Sequence, residues 1–183
     1  MRVPRYPALP AALMIALLVG AFNGAAALAK DPPSDICSLL VPTQLEKTLG
    51  QPFGGAQKST APAPFAGQPS GTECDFPAQK GPAVKVVFIA YVDPSAPDAK
   101  QTFDRLAAWY TPKSKPAVGD AAYIDSKGAI HVLKGRVRYY IGIAPMGTSK
   151  AAPFVPWLSG QHSDTPAKDD QLKDLAAGVA AQL

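Results

Sequence analysis

Between residues 119 and 143 the sequence has a period of two, so that alternate side chains form two distinct sets. This stretch limits the possible folds more than any other. Its three segments, 122–125, 129–133 and 136–143, are separated by Ser126-Lys127-Gly128 and by Lys134-Gly135. A period of two is typical of strands, and short connections that contain glycine join antiparallel neighbours. The pattern therefore predicts a three-stranded antiparallel meander.

The turns set the register of this meander and divide its side chains between two faces. With Lys134-Gly135 in the second turn, His131 lies opposite Arg138. The face that we expect to pack on the core holds Ile124, Ile130, Val132, Val137, Tyr139, Ile141 and Ile143. The other face, which we expect to lie in solvent, holds Tyr123, Asp125, His131, Arg136, Arg138 and Tyr140.

Caps and apolar spacing predict the remaining elements. Pro42 and Gly50 mark the two ends of a short helix. Ser95 caps a second helix, and residues 169–183 form a third helix with one apolar stripe. Residues 84–92 are apolar on both faces, which predicts a central strand that is covered on each side.

Strands in antiparallel order with helices between them favour the α+β class. We expect a single antiparallel sheet whose apolar face is covered by helices, in one domain spanning residues 30–183. No internal repeat indicates a second domain.

Residues 1–29 have the composition of a secretory signal peptide. Arg2 and Arg5 precede an apolar run at 11–22, and Ala27-Leu28-Ala29 forms a cleavage site. We expect cleavage after Ala29, a mature chain of 183 − 29 = 154 residues, and a periplasmic or secreted location. The alternative is an uncleaved membrane anchor, although the apolar run is shorter than the ~20 residues that span a bilayer.

The charge of the chain narrows the classes of possible binding partner. Without Arg2 and Arg5 the chain has 16 basic and 14 acidic residues, so its formal charge falls from +4 to +2. Because the rest of the chain contains no run of basic residues, we expect no nucleic-acid partner.

Cys37 and Cys74 are the only cysteines, and in an oxidising compartment an even pair favours a disulfide. A thiol pair or a metal site is the alternative, but zinc-ligand spacing is absent, so we expect no metal and no cofactor.

Three segments carry motifs of a known family: Cys37-Ser-Leu-Leu-Val-Pro-Thr-Gln-Leu-Glu-Lys-Thr-Leu-Gly50, Thr72-Glu-Cys74-Asp-Phe76 and Val118-Gly-Asp-Ala-Ala-Tyr123. They resemble a family of exported domains of unknown function, best represented among actinobacterial lipoproteins and the outer sensor domains of some mycobacterial kinases. The resemblance covers most of residues 36–183.

This resemblance implies a Cys37–Cys74 disulfide and an antiparallel α+β sandwich similar to the Mog1/PsbP-like architecture. It implies no catalytic residue, because the family has no established general activity. The sequence departs from the family at Val41, where a threonine would cap the first helix. It also has no lipobox before Cys37.

Catalytic motifs are absent from the sequence. His131 and His162 are the only histidines, and no Gly-x-Ser-x-Gly elbow, His-x-x-x-His pair or P-loop occurs. Asp98, Asp169 and Asp170 lie where helix N-termini favour negative charge. We therefore predict no catalytic residue.

Two surfaces are candidate binding sites. The solvent face of the meander carries a mixed basic and aromatic set that suits an anionic or glycan-like ligand: Tyr123, His131, Arg136, Arg138 and Tyr140. The alternative is an ordinary solvated sheet face. The second surface is a proline-containing loop with Phe154, Trp157 and Leu158, which suits docking to a partner or a membrane surface. Such a loop also folds back in many proteins to cap a small core.

The sequence thus predicts an exported, non-catalytic binding or accessory protein of the cell envelope, with an unknown envelope or extracellular ligand or protein as its partner. The alternative is a small periplasmic enzyme, hydrolase-like, with catalytic residues that the sequence does not identify. A purely structural accessory of the envelope is the third hypothesis.

Overall fold

The computed structural model describes residues 31–146 and 169–183. Its strands are β1 (Gln57–Ala61), β2 (Gly71–Pro77), β3 (Val84–Val92), β4 (Ala121–Ile124), β5 (Ile130–Lys134) and β6 (Val137–Pro145). Its helices are α1 (Pro42–Leu49), α2 (Ala96–Tyr110) and α3 (Asp169–Ala180), and a 3₁₀ turn at Ile36–Leu39 precedes α1. The strands form one antiparallel sheet in the order β1-β2-β3-β6-β5-β4. The predicted α+β class with a single antiparallel sheet is confirmed.

The ends of α1 and α2 follow their capping residues. Pro42 is the first residue of α1, and Gly50 ends it with a φ of +75°, which glycine adopts without steric cost. Val41 supplies no side-chain hydrogen bond at the start of α1. In α2 the Ser95 hydroxyl accepts a hydrogen bond from the amide of Asp98, as the sequence predicts.

The predicted disulfide between Cys37 and Cys74 is confirmed. It joins the 3₁₀ turn to β2, and both half-cystines are buried in the main apolar core. On the chain-entropy model, closing a loop of this length stabilises the fold by about 4 kcal/mol. The bond therefore holds the N-terminal segment, and α1 behind it, against the sheet.

One face of the sheet packs on α1 and α3, and this face is the one that the alternation predicted as apolar. All its predicted meander residues lie in the main core, with Ile143 half-buried at the margin. Leu172, Leu175 and Val179 of α3 face them. The Tyr139 hydroxyl donates a 2.7 Å hydrogen bond to the carbonyl of Ala176, which ties the centre of the sheet to α3.

On the other face of the sheet α2 packs against β5 and β6, so the expectation that helices pack on one face only is wrong. Val87, Ile89 and Tyr91 of β3 are buried on this second side. Phe103 and Leu106 of α2 are buried as well. The prediction that β3 is covered on each side is confirmed. Phe103 of α2 loses contact with water by packing against Tyr123 of β4 and Leu133 of β5.

The turn between β5 and β6 differs from the predicted one by one residue. Lys134 is still in the strand and pairs with Val137, so the turn residues are Gly135 and Arg136. The Asp120 carboxylate favours this arrangement, because it accepts hydrogen bonds from Lys134 Nζ at 3.0 Å and from the Gly135 amide at 2.7 Å. His131 lies opposite Tyr140 instead of Arg138, a change of two positions, so the side chains within the strands keep their predicted faces but the predicted pairs are wrong.

Two predictions lie outside the described residues: the signal peptide with its cleavage site after Ala29, and the loop with Phe154, Trp157 and Leu158. None of the helices in the described ranges is long and apolar enough to cross a membrane.

Candidate functional site

A row of three aromatic rings crosses the meander on the side that α2 covers. Tyr123 of β4 pairs with His131 of β5, and His131 pairs with Tyr140 of β6. The Tyr123 and His131 rings are stacked with centroids 4.5 Å apart, and the His131 and Tyr140 centroids are 5.6 Å apart. All three side chains are buried. The predicted pairing of His131 with Arg138 is wrong, because the register has moved.

Tyr110 at the end of α2 closes the space above this row. Its ring centroid lies 5.0 Å from that of His131, so three phenol rings surround the imidazole. Burial raises the pKa of Tyr110 and of Tyr123, and both phenols are neutral at physiological pH. The Tyr123 hydroxyl is buried and has no hydrogen-bond partner among the described residues.

Asp125 holds the imidazole from its edge. His131 Nε2 lies 3.0 Å from Asp125 Oδ2, and Asp125 Oδ1 accepts hydrogen bonds from the amides of Lys127 and Ala129 at 2.9 Å each. Burial raises the pKa of Asp125, but the hydrogen bond and charge of His131 and the backbone donors outweigh it, so this pKa lies below its usual range. The carboxylate is therefore an acceptor only, and Nε2 carries the proton.

Arg138 forms a second polar contact in the same layer. Its Nε and Nη2 atoms donate hydrogen bonds of 2.6 Å and 3.1 Å to the two carboxylate oxygens of Asp93. The guanidinium also lies 5.0 Å above the Tyr91 ring. Both charged groups are almost fully buried, so each compensates the desolvation of the other.

The space left beside these groups is small. A cavity of about 20 Å³ lies between α2 and the sheet, enough for one water molecule. Its lining includes Tyr91, Phe103, Leu106, His131, Arg138 and Tyr140.

Four of the five residues predicted for the meander site thus meet in one layer, but the expectation that they lie in solvent is wrong. Tyr123, His131, Arg138 and Tyr140 are each less than 9% exposed. Arg136 is separate from them, since it lies in the β5–β6 turn and forms a 2.7 Å surface ion pair with Asp31. A polar face can be buried when each charge has a partner of suitable geometry. A role of these residues in ligand binding stays a prediction.

The contacts of His131 limit the chemistry that the layer can perform. Its only side-chain hydrogen bond within the described ranges is the one to Asp125, so no described hydroxyl or thiol is activated by the imidazole. The described residues also contain no group of three acidic, histidine or cysteine side chains that could hold a metal ion.

A different surface, on the outer side of α2, was not predicted from the sequence. Trp109 is 74% exposed, and its ring contacts Phe65 of the β1–β2 connection edge-on, with centroids 5.7 Å apart. Arg105 Cζ lies 4.0 Å above the Phe65 ring. We call these three residues the Trp109 patch.

The patch was missed because its two parts come from distant segments. Phe65 belongs to a Gly/Pro-rich connection that the sequence predicts as a loop. Trp109 carried a usable signal, since it lies about 100° around the helix from Tyr110 and so outside the apolar stripe of α2. A large aromatic residue outside the buried stripe indicates a candidate contact surface.

Comparisons of the chain with protein-family models, with curated proteins and with solved structures found no match.

Proposed function

We propose that this chain is an exported binding protein of the cell envelope, and that it binds through the Trp109 patch. The observation that carries the proposal is the 74% exposure of Trp109 beside an arginine that has no acidic partner among the described residues. Tryptophan and arginine are the side chains most enriched at energetically important contacts. An indole left in water at a fixed position on a helix favours a role in binding.

The patch is held in place before any ligand arrives. Arg105 covers one side of Phe65, and Trp109 contacts the edge of the same ring. Gln68 of the same connection donates a hydrogen bond to the Thr102 hydroxyl on α2. A surface ordered in advance loses less conformational entropy on binding, which favours affinity.

Export is supported by two features. Residues 1–29 have the composition of a cleavable signal peptide, and the Cys37–Cys74 bond is typical of an oxidising compartment. The resemblance to exported domains of lipoproteins and kinase sensors favours the same location. A role as an accessory protein that binds an envelope component follows from location and patch together.

Cosedimentation of the purified mature protein with isolated cell envelopes tests the proposal. We expect the wild-type protein to sediment with the envelopes and Trp109→Ala to lower the bound fraction at least tenfold. Val41→Ala is the matched control, because Val41 is an exposed apolar residue far from the patch on the chain. Equal sedimentation of the wild-type and Trp109→Ala proteins would contradict the proposal, as would wild-type protein that stays in solution.

N-terminal sequencing of the fractionated protein tests the export step separately. We expect Lys30 as the first residue. A membrane-bound product that still begins at Met1 would contradict export with cleavage after Ala29.

A further inference from the structure

We propose that the ligand of the Trp109 patch is an acidic glycan, with one sugar ring packed on the Trp109 indole and its acidic group paired with Arg105. This inference rests on the proposed function, since it names the chemistry that the same surface would recognise. Three properties of the patch support it: a charge without an ion pair among the described residues, a small apolar area and a neighbouring polar side chain.

No acidic side chain among the described residues forms an ion pair with Arg105. The other charged groups on the exposed side of α2 are occupied, because Lys100 pairs with Asp104 at 2.6 Å and the Asp98 carboxylate accepts a hydrogen bond from Ser95 at 2.6 Å. Arg105 has no ion pair with any described residue and contacts the face of Phe65 instead. A ligand that carries a carboxylate or phosphate supplies the missing partner, which the planar guanidinium can bind through two hydrogen bonds.

The apolar area of the patch fits a sugar ring and is too small for a protein partner. The exposed large apolar residues in the described ranges are Val41, Val92, Trp109 and Met146, and only Trp109 lies on α2. A stable protein interface buries about 800 Å² on each partner around an apolar centre. A single indole ring instead matches the apolar face of one saccharide, whose polarised C–H bonds are attracted to the negative face of the ring.

The third property is a polar side chain in line with the other two. Gln101, Arg105 and Trp109 are four residues apart on α2 and therefore form one exposed stripe. The Gln101 amide can donate and accept hydrogen bonds, which suits the hydroxyl groups of a neighbouring sugar. The stripe thus presents an apolar platform, a cation and an amide in succession, over a length of eight residues or about 12 Å.

Isothermal titration calorimetry with defined probes tests this inference. The acidic probes are trigalacturonic acid, a hyaluronan tetrasaccharide and a mannose-phosphate disaccharide. The neutral probe is maltotriose, and triglutamate tests for charge alone. We expect at least one acidic saccharide to bind, and we expect Trp109→Ala and Arg105→Ala each to weaken that binding at least tenfold. Lys100→Ala, which removes a charge from the same helix, should leave it within about twofold.

Each other result overturns the inference. Equal binding of maltotriose with no effect of Arg105→Ala would show a neutral glycan, and triglutamate binding as tightly as the saccharides would show an acidic peptide. Binding of none of the acidic saccharides, with sedimentation still dependent on Trp109, would overturn the inference and leave the proposed function standing. If no acidic saccharide binds and sedimentation does not depend on Trp109, both this inference and the proposed function are overturned.

Discussion

The two faces of the sheet are both buried, yet they are built from different side chains. The face under α1 and α3 is almost entirely apolar. The other face buries many polar side chains, among them two pairs: Asp93 with Arg138 and Asp125 with His131. Burial in this protein therefore does not follow hydrophobicity alone. The four groups of these two pairs are buried because each has a partner within hydrogen-bond distance.

The free energy of burial depends on precise geometry to a different degree on the two faces. Apolar burial is non-directional and scales with area, at roughly 25 cal/mol per Å². Buried ion pairs and hydrogen bonds depend on distances and angles, and removing one partner leaves the other desolvated. We therefore expect the apolar face to be most sensitive to substitutions that introduce a charge. The face under α2 should be most sensitive to substitutions that remove one partner of a pair.

The largest effect is expected from Ile141→Asp on the apolar face. Ile141 is fully buried between Phe88 of β3 and Ile130 of β5. An unpaired carboxylate there costs more than about 4 kcal/mol, so we expect no cooperative thermal transition by circular dichroism. Val92→Asp, at the exposed end of β3, is the control and should change the free energy of unfolding by about 1 kcal/mol or less. Cooperative melting of the Ile141→Asp protein near the wild-type temperature would mean that this face is not the core.

The next effect concerns the Arg138–Asp93 pair on the α2 face. Arg138→Met leaves the Asp93 carboxylate buried without its partner and should lower the free energy of unfolding by about 3–5 kcal/mol. The double variant Arg138→Met/Asp93→Ala removes both charges and should recover most of that loss. Urea denaturation measures both. A double variant as unstable as the single one would show that shape, not charge pairing, governs this face.

A smaller effect is expected at Asp125, on the face under α2, where the contribution to stability depends on pH. Its pKa is lowered in the folded protein, so its carboxylate stabilises the fold above the pKa of an unfolded aspartate, near 3.8, and this contribution is lost as pH falls through the folded value. We expect Asp125→Asn to be less stable than wild type by about 2 kcal/mol at pH 5. The gap should close as the pH falls below 3.8 and through the pKa of Asp125 in the folded protein. A gap that stays constant over this range would contradict the assignment.

The smallest effect comes from two tyrosines on opposite faces. Tyr139→Phe removes the hydrogen bond to the Ala176 carbonyl and should cost about 1 kcal/mol. Tyr123→Phe removes a buried hydroxyl that has no partner among the described residues, and it should be neutral or stabilising by up to about 1 kcal/mol. Thermal denaturation of the two variants under one condition measures the contrast. An equal loss in both would show that the Tyr123 hydroxyl is hydrogen-bonded in solution.

Local elements were predictable because their signals are local. The caps at Pro42, Gly50 and Ser95 and the apolar stripe of α3 depend on residues within a few positions of one another. The β5–β6 turn was placed one residue too early because the Asp120 carboxylate, which binds Gly135 and Lys134, acts from outside the hairpin. Of the candidate surfaces, four of the five residues predicted around His131 meet in one layer but are buried instead of exposed, and the Trp109 patch was not foreseen.

The local pattern is enough to predict the antiparallel meander, the two faces of its strands and the cysteines available for pairing, because a period of two and a single pair of cysteines leave few alternatives. The position of α2 on the polar face and the contacts of Asp93 with Arg138 and of Phe65 with Trp109 arise only in the folded chain. These contacts join residues 45 and 44 positions apart in the chain. Their free energy depends on distances and angles set by the whole fold, which no local pattern encodes.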